Sequence, residues 1–115
     1  TYANYGMHYY AKAQNLARGL RAAYDEVLND VDVLLMPTLP FTAPAIPKEP
    51  LSTYGFLKVF ANMIHNTGSF NPSGHPAISV PCGVHDGLPI GMQLVGRHFE
   101  DAVVLRAAHA YEQNR

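Results

Sequence analysis

The residues best suited to chemistry gather in one short run, Ser69-Phe-Asn-Pro-Ser73-Gly-His75-Pro76, which sets two hydroxyls close to an imidazole. A serine beside a histidine suggests acyl transfer, the ring taking the hydroxyl proton as oxygen attacks a carbonyl. That reaction also needs an acid to orient the imidazole, and none lies nearby in the sequence. The run lacks the Gly-x-Ser-x-Gly pattern that lifts a nucleophile onto a strand-to-helix elbow. It is better explained as a hydrogen-bonded turn, without a catalytic residue.

Other candidates fall away on similar grounds. Cys82 could pair with a histidine as a nucleophile, but its place in an apolar run after Pro81 favours a small buried core residue. Histidines stand at 8, 65, 75, 85, 98 and 109 with no metal-ligand spacing, so no metal is expected. Of these, His65 and His98 are candidates for lining a pocket, against the plainer reading of all six as scattered surface residues. Lys12, Lys48 and Lys58 could act as the base of a Ser/Lys pair, yet none sits in a glycine- or serine-rich setting that would supply its partners. The glycines at 83, 87, 91 and 96 do not form a phosphate-cradling loop. No complete catalytic set is visible, and no cofactor is implied.

The elements that would position these residues can be read from periodicity. Met7 to about Asn29 carries an apolar stripe at helical spacing through Tyr10, Ala13, Leu16, Ala17, Leu20, Ala23, Tyr24, Val27 and Leu28. Lys12, Arg18, Arg21, Asp25 and Glu26 fall mainly off it. Such a helix is about 35 Å long and needs a large partner surface. Val31 to Met36 is a continuous apolar run, as in a strand buried on both faces. Prolines at 37, 40, 44, 47 and 50 then impose an extended loop, whose Phe41, Ala43, Ala45 and Ile46 suit a protein surface. A second helix spans about Thr53 to Asn66, capped by Ser52 or Thr53, striped by Phe56, Val59, Phe60, Met63 and Ile64, and ended by Gly68. Ser69 to Pro76 follows as a tight loop. Ala77–Cys82 and Pro89–Val95 form two strands joined across Asp86-Gly87, a strong turn signal. A last helix over about Glu100 to Glu112 turns Val103, Val104, Ala107, Ala108 and Tyr111 inward.

The order is α-β-α-β-β-α: an α/β chain holding part of a mixed sheet with flanking helices. Its first strand would leave open hydrogen-bonding edges unless further strands join it. Eight basic and nine acidic residues give a net charge of −1, which argues against nucleic-acid or anionic-membrane partners. No apolar run approaches the ~20 residues that cross a bilayer. A single cysteine and no signal-like start fit a reduced, cytoplasmic setting. A beginning at Thr1 fits either a processed start or a piece of a longer chain.

Three segments in order resemble the C-terminal part of the amidase-signature family. They are Asp32-Val-Leu-Leu-Met-Pro-Thr38, Asn71-Pro-Ser-Gly-His-Pro-Ala-Ile-Ser-Val-Pro-Cys-Gly83, and Gly87-Leu-Pro-Ile-Gly-Met-Gln-Leu-Val-Gly96. Each alone is weak; their order and separation are specific, and the resemblance covers essentially all of residues 1–115. The two preceding helices are most similar to those of bacterial acylamide amidases. The resemblance implies a larger α/β hydrolase that cleaves a carboxamide to acid and ammonia through an acyl-enzyme on a serine. A second serine in a cis peptide and a lysine activate that serine, all within an upstream Gly/Ser-rich signature with no counterpart here. The resemblance further implies that this part lines the acyl side of the pocket through Ala61, Ile64 and Gly68, with Phe60, His65 and Asn71 beside them. Phe60, Met63 and Ile64 are equally well explained as core. A small amide substrate, the rest of the amidase chain and a second copy of the full-length enzyme are the implied partners. A component of an amidotransferase with the same fold and a truncated, non-catalytic binding module are the competing readings.

Overall fold

The computed structural model describes residues 6–115 and contains seven elements in sequence order. They are α1 (His8–Leu28), β1 (Leu34–Pro37), α2 (Thr53–Met63), α3 (Phe70–Ser73), β2 (Ala77–His85), β3 (Leu88–Val95) and α4 (Asp101–Gln113). The three strands form one sheet in the order β1-β3-β2, paired antiparallel throughout. The α/β class and the six expected elements are present, with α3 in addition, and within this chain the sheet is antiparallel rather than mixed.

The β2–β3 hairpin is set by its turn. Asp86 and Gly87 both take left-handed backbone angles, φ 50° and 76°, which match the twist of the flanking strands. From His85↔Leu88 the register runs to Pro81↔Gly91, with Cys82 bulged between Pro81 and Gly83. The bulge leaves Cys82 exposed, so it is not the buried core residue expected from its apolar neighbours. Its carbonyl instead accepts a hydrogen bond from the Tyr111 hydroxyl at 3.4 Å.

Alternation along the sheet makes the core. Val80 faces Met92 and Ile78 faces Leu94 across the hairpin, and Val104 and Ala108 of α4 pack on this face. Gly96 lets α4 approach, since a Cβ there would stand 2.5 Å from Val104 Cγ2. The opposite face is partly polar. Gln93 is buried there and donates through Nε2 to the Asn66 carbonyl at 3.3 Å. Asn66 in turn donates through Nδ2 to the Pro37 carbonyl at 2.8 Å, tying the end of β1 to the turn after α2.

β1 departs from expectation. It starts at Leu34 rather than Val31 and is an edge strand with alternate residues exposed, not a strand buried on both faces. The reason lies in neighbours: among the described residues only β3 flanks it and no helix covers Leu35, which is 65% exposed. Ser69 to Pro76 is also not a plain loop, because α3 forms a single turn closed by Gly74 at φ 81°.

Helix α1 differs more instructively. Of its apolar stripe, Leu28 is buried and Ala17, Leu20 and Tyr24 are half-buried on one side, whereas Tyr10, Leu16 and Val27 remain exposed. Arg21 and Asp25 are themselves exposed and reach from that side to Ser73 and His75. Arg97 fixes the far end of this helix. Its Nε donates to the Leu28 carbonyl at 2.7 Å, Nη2 to the Val31 carbonyl at 3.0 Å, and Nη1 to Glu100 Oε2 at 3.2 Å. A cation on the last carbonyls of a helix satisfies orphan acceptors and complements the dipole. Arg97→Ala is expected to lower stability by about 2 kcal/mol, the size of losing charged hydrogen bonds, measured as a fall in the urea midpoint.

The molecule stays open. Its accessible surface is 8603 Å², where a closed globule of this mass exposes roughly 6200 Å². The radius of gyration is 17.5 Å, against about 13 Å for a compact domain of this length. Helix α2 shows why: none of its residues is buried, and Phe56 and Phe60, with Ile64 just past its end, are exposed.

Candidate functional site

A polar cluster forms where α1 crosses α3. Tyr24 Oη and Ser69 Oγ lie 2.9 Å apart, and Arg21 Nε donates to the Ser73 carbonyl at 2.8 Å. His75 is held at both ring nitrogens, Nδ1 at 3.1 Å from Ser73 Oγ and Nε2 at 3.1 Å from Asp25 Oδ1. Its ring packs between Tyr24 and His98, with centroids at 5.5 and 4.2 Å. The acid missing from the local sequence is thus supplied by Asp25 of α1, fifty positions upstream.

Serine, histidine and aspartate in one chain of hydrogen bonds have the connectivity of a hydrolase triad. Access decides against that role. Ser73 is 0% exposed and its Oγ also reaches the Phe70 carbonyl at 3.4 Å, so no substrate carbonyl can approach it. The cluster is a hydrogen-bonded joint between α1 and the α3 turn, closed around Ser73 and His75. His98 completes it from the loop between β3 and α4, its Nε2 buried without a hydrogen-bond partner.

The residues expected to line an acyl pocket lie elsewhere. Phe60 and Ala61 of α2, with Ile64 and His65 in the turn after it, follow spacing that puts them on one side of the chain, and all four are exposed. Ser52 caps the start of this helix, accepting from the Gly55 amide at 3.1 Å. The helix stops at Met63, and Gly68 closes the following turn by donating to the Ile64 carbonyl at 2.7 Å. A Cβ at Gly68 would meet that oxygen at 2.8 Å, which accounts for the glycine. Asn71 lies on α3 and is exposed, so the fold brings the first four together and leaves Asn71 on a separate element.

A third feature was not visible in the sequence. Pro37 to Ala43, Ser79 and Pro89 to Gly91 enclose a cleft of about 520 Å³ on the polar face of the sheet. Thr38 and Ser79 join hydroxyls at its floor, and Gly91 lies beneath them; a Cβ there would come within 2.9 Å of both oxygens. The signal that could have found it is the Pro-Thr after β1 set against the Gly in β3. Their meeting depends on the β1–β3 register, Pro37↔Met92.

With this geometry in hand, likeness to known proteins is informative. The family model for Amidase matches residues 1–105. The chain belongs to the amidase family. It is 47% identical over 106 residues to a Rhodococcus erythropolis protein described as an uncharacterized protein in the nthA 5′ region, covering 92% of this chain and 53% of that one. It is 46% identical over 104 residues to an enantioselective amidase of Rhodococcus rhodochrous, covering 90% of this chain and 20% of that enzyme. Among solved structures, a component of the glutamyl-tRNA(Gln) amidotransferase of Thermotoga maritima superposes with a TM-score of 0.79 at 39% identity, covering 97% of this chain and 24% of that one. The chain therefore spans about half the length of one curated relative and a fifth of the other. Among the described residues no helix is long and apolar enough to cross a membrane.

Proposed function

We propose that this chain is the sheet-completing, pocket-lining portion of an amide hydrolase that converts a carboxamide to a carboxylic acid and ammonia. The observation that carries the reading is the uncovered apolar side of α2 and its following turn, Phe60, Ala61 and Ile64, on a chain of the amidase family. Nucleophile and base come from residues outside this chain, a serine activated by a cis-serine and a lysine. The serine oxygen attacks the carboxamide carbon, ammonia leaves with a proton, and water then cleaves the ester to release the acid. The apolar side of α2 selects the acyl group by shape, with Gly68 and Asn71 at its margin.

In the full-length enzyme, Phe60→Ala and Ile64→Ala are each expected to shift kcat/KM between short and bulky acyl amides by roughly 10- to 100-fold. That is the discrimination available from a few methylenes in an apolar pocket. A uniform change across acyl groups in both variants would place these residues in the core instead. The likeness to an amidotransferase component favours a second reading, in which the released ammonia passes to another active site. Co-purification of a partner protein, with glutamine preferred over simple amides, would select it.

A further inference from the structure

We propose that Asp25, His75 and His98 form a binding site for a divalent transition metal of the zinc type. One carboxylate and two imidazoles are the ligand chemistry that zinc takes up, and the three side chains offer ligand atoms all within 4.8 Å of one another. Around tetrahedral zinc, ligand atoms at about 2.0–2.1 Å from the metal stand about 3.3 Å apart. His75 Nε2 and Asp25 Oδ1 already lie 3.1 Å apart. His98 supplies the third corner, its ligand atom within 4.8 Å of the other two.

One feature points to a cation at this place: the buried Nε2 of His98 has no hydrogen-bond partner. A proton shared by His75 and Asp25 satisfies that pair as a hydrogen bond but leaves His98 unpartnered, whereas a metal engages all three. Ser73 then orients the ligating imidazole from its far nitrogen, as the hydrogen-bonded shell of zinc sites does. Arg21, the neighbouring cation, donates its Nε to the Ser73 carbonyl, with Nη2 on the same side of Gly74 as the His98 ring. His75 is enclosed while Asp25 is half exposed, so a metal would enter from the Asp25 side. Because the ligands come from α1, the segment after α3 and the segment before α4, the bound metal pins the long helix to the sheet.

The test uses the full-length protein after chelator treatment, titrated with Zn²⁺ by calorimetry and with Co²⁺ by visible absorption. One equivalent of Zn²⁺ is expected to bind with micromolar or tighter affinity, and Co²⁺ to give the intense bands of a tetrahedral site. His98→Gln and Asp25→Asn should each weaken binding by 100-fold or more, and Ser73→Ala by roughly 10- to 100-fold. His109→Ala, on the exposed side of α4, should bind as the parent does. Zn²⁺ should raise the melting temperature of the parent and leave that of His98→Gln unmoved. Absence of binding at millimolar Zn²⁺, or affinity unchanged in both His98→Gln and Asp25→Asn, would overturn the proposal. Because no readout is amide hydrolysis, either result leaves the proposed activity to its own test.

Discussion

His75→Ala is expected to cost about 3–4 kcal/mol of stability, one of the two largest effects this structure implies. The imidazole is fully enclosed and bridges Ser73 of the α3 turn to Asp25 of α1. Its removal withdraws a partner from the buried Ser73 hydroxyl, which typically costs about 1–3 kcal/mol. It also leaves a ring-sized void against Tyr24 and His98, with a further loss that depends on how far the site collapses. Two conservative variants separate the contributions. His75→Asn can still reach Ser73, and His75→Gln can still reach Asp25, so each should recover part of the loss. The measurement is chemical denaturation of the full-length protein, read as a midpoint shift at constant slope. A change below about 1 kcal/mol for His75→Ala would mean that the cluster does not join α1 to the sheet.

The 115-residue chain alone is expected to turn over no amide and to associate in solution. Its one buried serine is closed to substrate, and among the described residues no lysine lies in the Ser73–His75–Asp25 hydrogen-bond chain. Phe56 and Phe60 of α2 and Ile64 just after it are open to water, as are Ile46 at 92% and Phe99 at 96%. Exposed apolar surface beyond a few hundred Å² drives association, and the free edge of β1 adds unpaired backbone groups. Light scattering of the purified chain should show mass rising with concentration, while ammonia release from carboxamides stays at the level of buffer. A monodisperse, cooperatively unfolding monomer would contradict the association, and measurable hydrolysis would contradict placing the nucleophile outside these residues. If the proposed function holds, residues outside this chain cover the same surfaces; the chain spans 53% and 20% of the two curated relatives and 24% of the solved structure.

Sequence determined the elements wherever the signal is local. Asp86-Gly87 set the hairpin because both positions need left-handed backbone, and Ser52 set the start of α2 because its hydroxyl finds an amide three residues on. Val80, Met92, Leu94, Val104 and Ala108 are core because alternation in the strands and helical spacing in α4 aim them at one another. The ordered motifs around Thr38, Asn71 to Gly83 and Gly87 to Gly96 placed the chain in its family. Tertiary structure decided what depends on neighbours remote in the chain. Asp25 looked like a solvated helix residue, yet crossing α3 makes it the partner of His75. His75 and His98, more than twenty positions apart and without ligand spacing, share a buried corner only because Gly74 and the β3–α4 loop bring them there. Cys82 was misplaced because a bulge, not the strand pattern, fixes its exposure. The physical reason is common to all three: hydrogen-bond and packing partners lie 20 to 50 residues away, where periodicity carries no information.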